Sequence, residues 1–304
     1  MVKKKKNKYQ DSNFFNQIEQ YIAYLRVERH YASNTILAYR RDLSNLFDFC
    51  LKNKISDTSA IDSDILNLFV MELRHKAISS KSIRRYLSSI RGFLEYLVKE
   101  EILTENNAKN IQSPKISHSL PKTIDFDDLK RLLSVQSNSY LELRSIAMIE
   151  IMYSCGLRVS ELVNLDINDM DLSEGFVRVK GKGGKMRFSP IGSSAIKATK
   201  YYLAKRPNNE TEALFVNNNN DRISSRSVQN TVKKRARETG ISVNVHPHML
   251  RHAAATHFLQ SSHDLRSVQE FLGHKSIKST QVYTHLDFLE LAKVYDEFHP
   301  RAKK

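Results

Sequence analysis

Cysteine is scarce in this sequence. Its 304 residues contain two cysteines, Cys50 and Cys155, one in each half. Two thiols this far apart provide neither a disulfide framework nor a cysteine-based zinc cluster. Runs of about 18 apolar residues, the length of a transmembrane helix, are also missing, and the basic stretch Lys3–Lys6 is not followed by the apolar core of a signal peptide. These absences predict a soluble cytoplasmic protein.

Glycine is nearly absent from the first half. Only Gly92 and Gly156 fall within the first 174 residues, whereas five glycines cluster between residues 175 and 192. The N-terminal part is therefore predicted to be helical, with caps at Ser33 and Ser82. Four segments place apolar residues at helical spacing and predict a four-helix bundle over residues 12 to 100: Phe15, Ile18, Ile22 and Leu25; Ile36, Tyr39, Leu43 and Phe47; Ile65, Phe69 and Leu73; and Ile83, Leu87, Ile90 and Leu94.

The length of the chain predicts two domains, at about 150 residues each. We expect a basic disordered tail at residues 1–11, a helical domain at 12–104, a linker at 105–122 and a second domain at 123–304. Polar residues dominate the linker, and Pro114 and Pro121 disfavour helix there.

The second domain combines helices with a small β-hairpin. Alternation in FVRVKGKGGKMRFSPIG on either side of a glycine-rich turn predicts a hairpin over residues 176–191 with Lys182 at its tip. Helices are expected from about Asp125 and near 192–204, 225–239, 248–260 and 264–272. The fold class is thus mainly α with a small β-hairpin or sheet.

The charge balance is strongly basic. Lys and Arg total 48 against 33 Asp and Glu, which gives a net charge of +15 and a pI near 9.6. A polyanion is the natural partner for such an excess. Basic residues on the polar faces of the bundle are candidate nucleic-acid contacts, although a merely solvated face explains them equally well: Arg40, Arg41, Lys81, Arg84, Arg85 and Arg91.

Four histidines and an arginine crowd into HPHMLRHAAATH, residues 246–257. His248 and His252 are one helical turn apart and could share a zinc ion, but no Cys, Asp or Glu lies between residues 246 and 263 to complete a tetrahedral shell. His248 and Arg251 share a helical face near a helix start at Pro247, where free backbone N–H groups favour an anion. We therefore interpret this pair as a phosphate-binding site, and His252 and His257 as packing residues.

Further candidates for the same chemistry are scattered along the chain. Arg158 offers a second guanidinium at a helix start, Lys182 an ammonium at a hairpin tip, and the C-terminal part adds His274 and Tyr283. Together they meet the needs of metal-free phosphodiester cleavage. Two arginines bind the non-bridging oxygens of the transition state, a tyrosine attacks once a histidine takes its proton, and a lysine protonates the leaving alkoxide.

Five motifs in this order carry a family resemblance: GLRVSEL, GKGGK, HMLRH, LGH and QVYTH. The chain from about residue 14 onward resembles the tyrosine recombinases. The resemblance implies a SAM-like core-binding domain and a catalytic domain that clamp duplex DNA, with no metal or ATP. Departures from the family pattern occur at Ala254 and at Lys278-Ser279. The resemblance also places six residues at the catalytic positions, with the last as the nucleophile: Arg158, Lys182, His248, Arg251, His274 and Tyr283.

Within the family, the closing stretch THLDFLELAKVYDEFHPRAKK is similar to the recombinases that resolve bacterial chromosome dimers at cell division. That similarity implies a heterotetramer with a partner recombinase, XerD, on a short DNA site called dif, under control of the translocase FtsK. It also implies that the tail docks on a neighbouring subunit, although the apolar spacing at Leu286, Leu289 and Val294 suits packing on its own domain as well. A mobile-element integrase, a type IB topoisomerase and a catalytically silent DNA-binding protein are the alternatives.

Overall fold

A computed structural model describes residues 12–115, 123–134, 138–181, 186–207, 211–273 and 293–302. The predicted basic tail at 1–11 and the end of the predicted linker, from residue 116, lie outside these ranges. The chain divides into two compact units between Ser119 and Leu120. Within the described ranges, no helix is both long and apolar enough to cross a membrane.

The first unit contains the four helices that the sequence predicts: α1 (Asn13–Val27), α2 (Ser33–Lys52), α3 (Ser63–His75) and α4 (Ser80–Lys99). Their apolar faces form one core in which aromatic rings pack edge to face, as Phe14 and Phe47 do at a centroid distance of 5.1 Å. Most of the predicted apolar positions are buried, while Phe15, Tyr39 and Ile65 lie at the edge of the core.

The two predicted helix caps are wrong. Ser33 is the first residue of α2 rather than its cap. α4 begins at Ser80, two residues before Ser82, because the hydroxyl of Ser79 accepts a hydrogen bond from the backbone N–H of Ser82 and so caps the helix. Ser79, Ser80 and Ser82 all carry a hydroxyl that can cap a helix, and the spacing of the apolar residues does not show which of them does so.

The first residues of the predicted linker belong to the core of the first unit. A short 3₁₀ helix at Asn107–Asn110 buries Ala108, and Ile111 is buried just after it. The guanidinium of Arg91 on α4 donates to the backbone oxygens of Ala108, at 3.0 Å, and of Ile111, at 2.5 Å. Buried apolar contacts and a charged donor therefore hold this segment in place.

The second unit surrounds α6 (Tyr140–Ser154), which is buried from Leu143 to Ser154 with Ser145 half-buried. The predicted hairpin is confirmed as part of a three-stranded antiparallel sheet in the order β1-β2-β3, in which Val179 pairs with Arg187. The other elements are α5 (Phe126–Leu133), α7 (Val159–Val163), β1 (Met170–Asp171), β2 (Phe176–Lys180), β3 (Met186–Pro190), α8 (Ser193–Lys205), α9 (Ser225–Glu238), α10 (Pro247–Ser262) and α11 (Leu265–Phe271).

The C-terminal segment 293–302 packs on its own unit. The side chains of Tyr295 and His299 are fully buried, and their rings stack with centroids 4.3 Å apart. Arg301 forms an ion pair with the buried Glu150 of α6. This segment thus shows the packing on its own domain that the apolar spacing also suits, with both rings buried among aromatic rings of the same unit. Leu286 and Leu289 lie outside the described residues.

Candidate active site

The junction between α6 and α7 positions Arg158. Gly156 ends α6 in the left-handed conformation, with φ of +57°, and a Cβ there would lie 2.7 Å from the ring of Phe271. Only glycine meets both conditions without strain. Arg158 follows as the N-terminal cap residue of α7, and Glu161 in the first turn accepts its backbone N–H at 2.9 Å and its Nη1 at 2.8 Å.

Arg251 reaches the same carboxylate from α10. Its Nη1 lies 3.7 Å from Oε2 of Glu161, while Nη1 and Nη2 donate to the backbone oxygens of Gly156, at 2.5 Å, and of Leu272, at 2.6 Å. The residue is 8% exposed. Burial, together with the positive charge of Arg158, lowers the pKa of Arg251 to about 10. The guanidinium therefore remains protonated at neutral pH.

A third guanidinium, that of Arg187, completes this cluster and is not among the residues predicted from the sequence. Arg187 on β3 is 8% exposed and donates to both oxygens of Glu161, at 3.0 and 3.1 Å. Burial alone would raise the pKa of Glu161, but the hydrogen bonds from Arg187 and Arg158 outweigh it and hold that pKa below its usual value. Strand alternation provides a signal for Arg187, because it pairs with the fully buried Val179 and so faces inward.

These side chains leave a positive charge on the site. Three guanidiniums surround one carboxylate, so two positive charges are not neutralised by Glu161. Guanidiniums whose charge is not neutralised by a neighbouring carboxylate are suited to an anion such as a phosphodiester.

The histidines of α10 differ in their surroundings. His248 is exposed in the first turn of α10, one turn before Arg251 on the same helical face. The ring of His246 caps the helix by accepting a hydrogen bond from the backbone N–H of Met249. The pKa of His246 is lowered mainly by burial and, to a smaller extent, by the nearby His248. His252 is exposed, so our interpretation of it as a packing residue is wrong.

For His257 the packing interpretation is confirmed. Its Nδ1 lies 2.8 Å from the hydroxyl of Tyr153, and its ring packs against the ring of Phe126. Burial lowers the pKa of His257 and favours the neutral ring. Among the residues that the structure describes, no three histidine, cysteine or acidic side chains are grouped so that they could hold a metal ion.

The structure thus brings together Arg158 and Arg251 and places His248 one turn from Arg251. Lys182, His274 and Tyr283 lie outside the described residues, as do Lys278 and Ser279. Gly273, the last described residue before His274, has a φ of +61°, and a Cβ there would lie 2.7 Å from Cδ of Arg187. Gly273, the second residue of the LGH motif, therefore lies against Arg187 and so beside the arginine cluster.

The basic residues of the first unit separate into two groups. Arg40 pairs with Glu19, Arg85 makes two bonds, at 2.7 and 2.8 Å, to the buried Asp42, and Arg91 bonds to backbone. Within residues 12–115 the other three are exposed and form no hydrogen bond or ion pair with any described residue: Arg41, Lys81 and Arg84.

Comparison with known proteins identifies the family. The model of the phage integrase family matches residues 122–290, and that of the phage integrase N-terminal SAM-like domain matches residues 18–101. The chain belongs to the phage integrase family of tyrosine recombinases, and its activity is site-specific DNA recombination.

The particular relatives are XerC proteins. Tyrosine recombinase XerC of Shigella flexneri serotype 5b (strain 8401) is 43% identical over 295 residues, which cover 96% of this chain and 99% of that protein. Tyrosine recombinase XerC of Escherichia coli O157:H7 shows the same 43% identity and the same coverage. The resemblance drawn from the five motifs is thereby confirmed.

Solved structures share the fold. A lambda integrase(75-356) dimer bound to a COC' core site superposes with a TM-score of 0.69 at 16% identity, covering 88% of this chain and 98% of that one. XerH site-specific recombinase bound to palindromic difH substrate gives a TM-score of 0.67 at 24% identity, covering 88% of this chain and 81% of that one. The predicted fold class, a helical SAM-like domain followed by an α+β catalytic domain, is confirmed.

Proposed function

We propose that the chain cuts and rejoins duplex DNA through a 3′-phosphotyrosine formed on Tyr283. The observation that carries the proposal is the meeting of Arg158 and Arg251 at Glu161, with His248 on the same face of α10. In this chemistry the oxygen of Tyr283 forms a bond to phosphorus while the bond from phosphorus to the 5′ oxygen breaks. The phosphotyrosine conserves the energy of the broken bond, so rejoining to a new 5′-hydroxyl requires no ATP.

The two arginines stabilise the charge that develops on the phosphate. Five N–H groups on each guanidinium permit bidentate bonds to the non-bridging oxygens. Arg251 remains charged at neutral pH because its pKa, although lowered by burial, is about 10. Fixed donors of this kind act most strongly where water is excluded.

Proton transfers complete the reaction. A phenol with an ordinary pKa of about 10 attacks once its proton is removed, and a histidine of the set, His248 or His274, accepts that proton. Lys182 then gives a proton to the departing 5′ oxygen, which is a poor leaving group as an alkoxide.

Exposed cations provide a DNA-binding surface in each unit. In the first unit, residues 12–104, Arg41 and Arg84 flank the ion pair that Asp42 and Arg85 form between α2 and α4, and Lys81 lies one turn before Arg85. In the second unit, Arg226, Lys233 and Arg237 share one face of α9 and form no hydrogen bond or ion pair with a described residue. Phosphate contacts from such residues supply sequence-independent affinity.

The XerC relatives support a proposal for the biological setting. The chain is proposed to act in the cytoplasm in a heterotetramer with XerD, two subunits of each, on a dif site. Under control of FtsK, this assembly would convert chromosome dimers to monomers at cell division. The 43% identity over 96% of the chain supports the proposal. A mobile-element integrase would share the same six residues, and mapping the DNA bound in cells separates the two, since chromosome resolution requires one site near the replication terminus.

Covalent trapping tests the chemistry. We expect the purified protein, with XerD and a nicked dif duplex, to give a protein–DNA adduct that survives denaturing detergent. Tyr283→Phe removes the nucleophilic oxygen and should abolish the adduct. Tyr201→Phe, which changes an exposed tyrosine of α8, is the matched control and should leave the yield unchanged. Adduct formation by the Tyr283→Phe variant would show that the nucleophile is misassigned.

A modified substrate tests the role of Lys182. Lys182→Ala should slow cleavage of ordinary DNA, because the leaving oxygen is no longer protonated. A substrate with sulfur at the 5′-bridging position has a better leaving group and should recover much of the rate. No recovery on this substrate would count against Lys182 as the general acid.

A further inference from the structure

Arg187 occupies a position that the proposed chemistry leaves unexplained. It is a buried cation on β3 with both terminal nitrogens bonded to Glu161. The stem of its side chain lies against Gly273, where a Cβ would approach Cδ of Arg187 to 2.7 Å. Ser189, which lies on the same face of β3, is also buried. The strand pattern at position 187 would therefore be met equally well by an apolar residue or a small polar one. A buried guanidinium therefore needs another explanation.

The four acceptor positions of Glu161 are all occupied. Oε1 accepts Nη1 of Arg158 at 2.8 Å and Nη1 of Arg187 at 3.0 Å. Oε2 accepts the backbone N–H of Arg158 at 2.9 Å and Nη2 of Arg187 at 3.1 Å. A carboxylate has about four lone-pair sites, so no further strong hydrogen bond is available.

Arg251 forms an ion pair with this carboxylate but no hydrogen bond to it. It remains at 3.7 Å, beyond hydrogen-bond distance, and donates to the carbonyl oxygens of Gly156 and Leu272 instead. Neutral carbonyls bind a guanidinium less strongly than a carboxylate does. The N–H groups of Arg251 that are not used by the two carbonyls remain available to an incoming phosphate.

We propose that Arg187 is a positioning residue that occupies the acceptors of Glu161 and thereby keeps the guanidinium of Arg251 from hydrogen-bonding to that carboxylate, so that the remaining N–H groups of Arg251 bind the scissile phosphate. This inference rests on the proposed function. Without Arg187, two acceptor positions of Glu161 open beside Arg251, and a buried carboxylate with unused acceptors takes the nearest charged donor. Arg251 would then close the gap to Glu161 and turn away from the DNA.

A double-mutant cycle between Arg187 and Glu161 tests the proposal, with single-turnover adduct formation measured on a nicked duplex at saturating DNA. Arg187→Met should lower the rate by about 100-fold, the size of loss expected when one preorganised donor is misplaced. DNA affinity should remain within about threefold, because the sequence-independent contacts lie elsewhere. Glu161→Gln, which removes the competing charge, should lower the rate by about tenfold or less.

The informative result is the double variant Arg187→Met with Glu161→Gln. It should react faster than Arg187→Met alone, since no carboxylate remains to capture Arg251. A rate equal to the product of the two single losses would overturn the proposal, because it would mean that Arg187 and Glu161 act independently. An unchanged rate for Arg187→Met would overturn it as well.

Two further variants separate positioning from folding. Arg187→Lys keeps the charge but lacks the bidentate geometry, and it should recover part of the rate lost in Arg187→Met. Arg235→Met removes another buried arginine, which bonds to Glu142 at 2.9 Å and to the backbone oxygen of Leu132 at 3.0 Å and forms no hydrogen bond with Glu161. It should lower thermal stability by as much as Arg187→Met while leaving the rate at a permissive temperature unchanged. Equal rate losses in Arg235→Met and Arg187→Met would overturn the positioning role.

Failure of the proposed function has a different signature. If the wild-type chain gives no adduct that depends on Tyr283, the chemistry itself is misassigned. If that adduct forms and the cycle is additive, only the role of Arg187 is wrong.

Discussion

The hydroxyl of Tyr295 lies 2.6 Å from Oγ of Ser154 and donates to the backbone oxygen of the same serine at 3.0 Å. Oγ of Ser154 also accepts the backbone N–H of Gly192, at 2.8 Å. All of these groups are buried, so the C-terminal segment is bound to α6 and to the start of α8 by a satisfied polar network. Such a network stabilises the fold only while every member keeps its partner.

Tyr295→Phe removes one member of that network. We expect the free energy of unfolding to fall by about 1–3 kcal/mol, because the Ser154 hydroxyl is left buried without an acceptor. Urea denaturation measures the change. Tyr201→Phe removes a hydroxyl from a tyrosine that is 55% exposed and should change stability by less than about 0.5 kcal/mol. Equal effects of the two substitutions would contradict the prediction.

The Glu150–Arg301 ion pair leads to a second prediction. Burial raises the pKa of Glu150, an effect that Arg301 opposes. Arg301→Met should destabilise the protein by about 2–4 kcal/mol at pH 7, since Glu150 is 3% exposed and would be left without its partner.

The pH dependence of that variant gives the check. A carboxyl whose folded-state pKa is raised stabilises the fold at low pH and loses this contribution as pH rises through the folded pKa. Stability of Arg301→Met should therefore decline more steeply above the ordinary carboxyl range than that of wild type. Adding Glu150→Gln should restore part of the loss, and no restoration would argue against the ion pair as its cause.

Because His299 is buried, we expect the protein to lose stability in acid. Burial, the nearby His257 and the charge of Arg301 lower the pKa of His299 from 6.5 to about 3. The rings around it belong to Tyr153, Phe258, Phe271 and Tyr295. A group with a lowered folded-state pKa stabilises the fold above its unfolded pKa, and that contribution is lost as pH falls from 6.5 towards 3.

His299→Phe keeps an aromatic ring among these four rings and removes the group that titrates. The slope of unfolding free energy against pH should decrease by up to about 1.4 kcal/mol per pH unit, the linkage of one proton. Urea denaturation at a series of pH values measures it. His257 also has a lowered pKa and contributes in the same direction, so some acid sensitivity should remain. A variant with the slope of the wild type would show that His299 is not buried as described.

Neighbouring arginines of α4 should respond in opposite ways. Arg85 binds Asp42, which is 0% exposed, so Arg85→Met should destabilise the first unit by about 2–4 kcal/mol.

Arg84 is exposed without a described partner, so Arg84→Ala should change stability by less than about 0.5 kcal/mol. It should instead weaken DNA binding and reduce the salt slope of log K by about 0.9. Unfolding and DNA titrations over a range of salt concentrations measure both, and an unchanged salt slope for Arg84→Ala would remove Arg84 from the DNA-binding surface.

Helices and the hairpin could be predicted from the sequence because their burial patterns are local and periodic. Apolar residues such as Ile18 and Leu87 recur once per turn and are buried in the structure. Caps were less predictable, as Ser79 and Ser82 show, because several nearby hydroxyls satisfy the same local rule. Surface charge was ambiguous for a similar reason: adjacent Arg84 and Arg85 look alike in sequence, and only the buried Asp42 of another helix distinguishes them.

Motifs and periodicity are properties of short segments, so the family, the helical first domain and the residue types of the reaction follow from the amino-acid sequence alone. Two features required the folded chain: the sharing of Glu161 by Arg158, Arg187 and Arg251, and the packing of residues 293–302 on their own unit. Both depend on groups far apart in the chain, whose energies arise from burial and from the number of acceptors within reach. These quantities exist only once the elements have packed together.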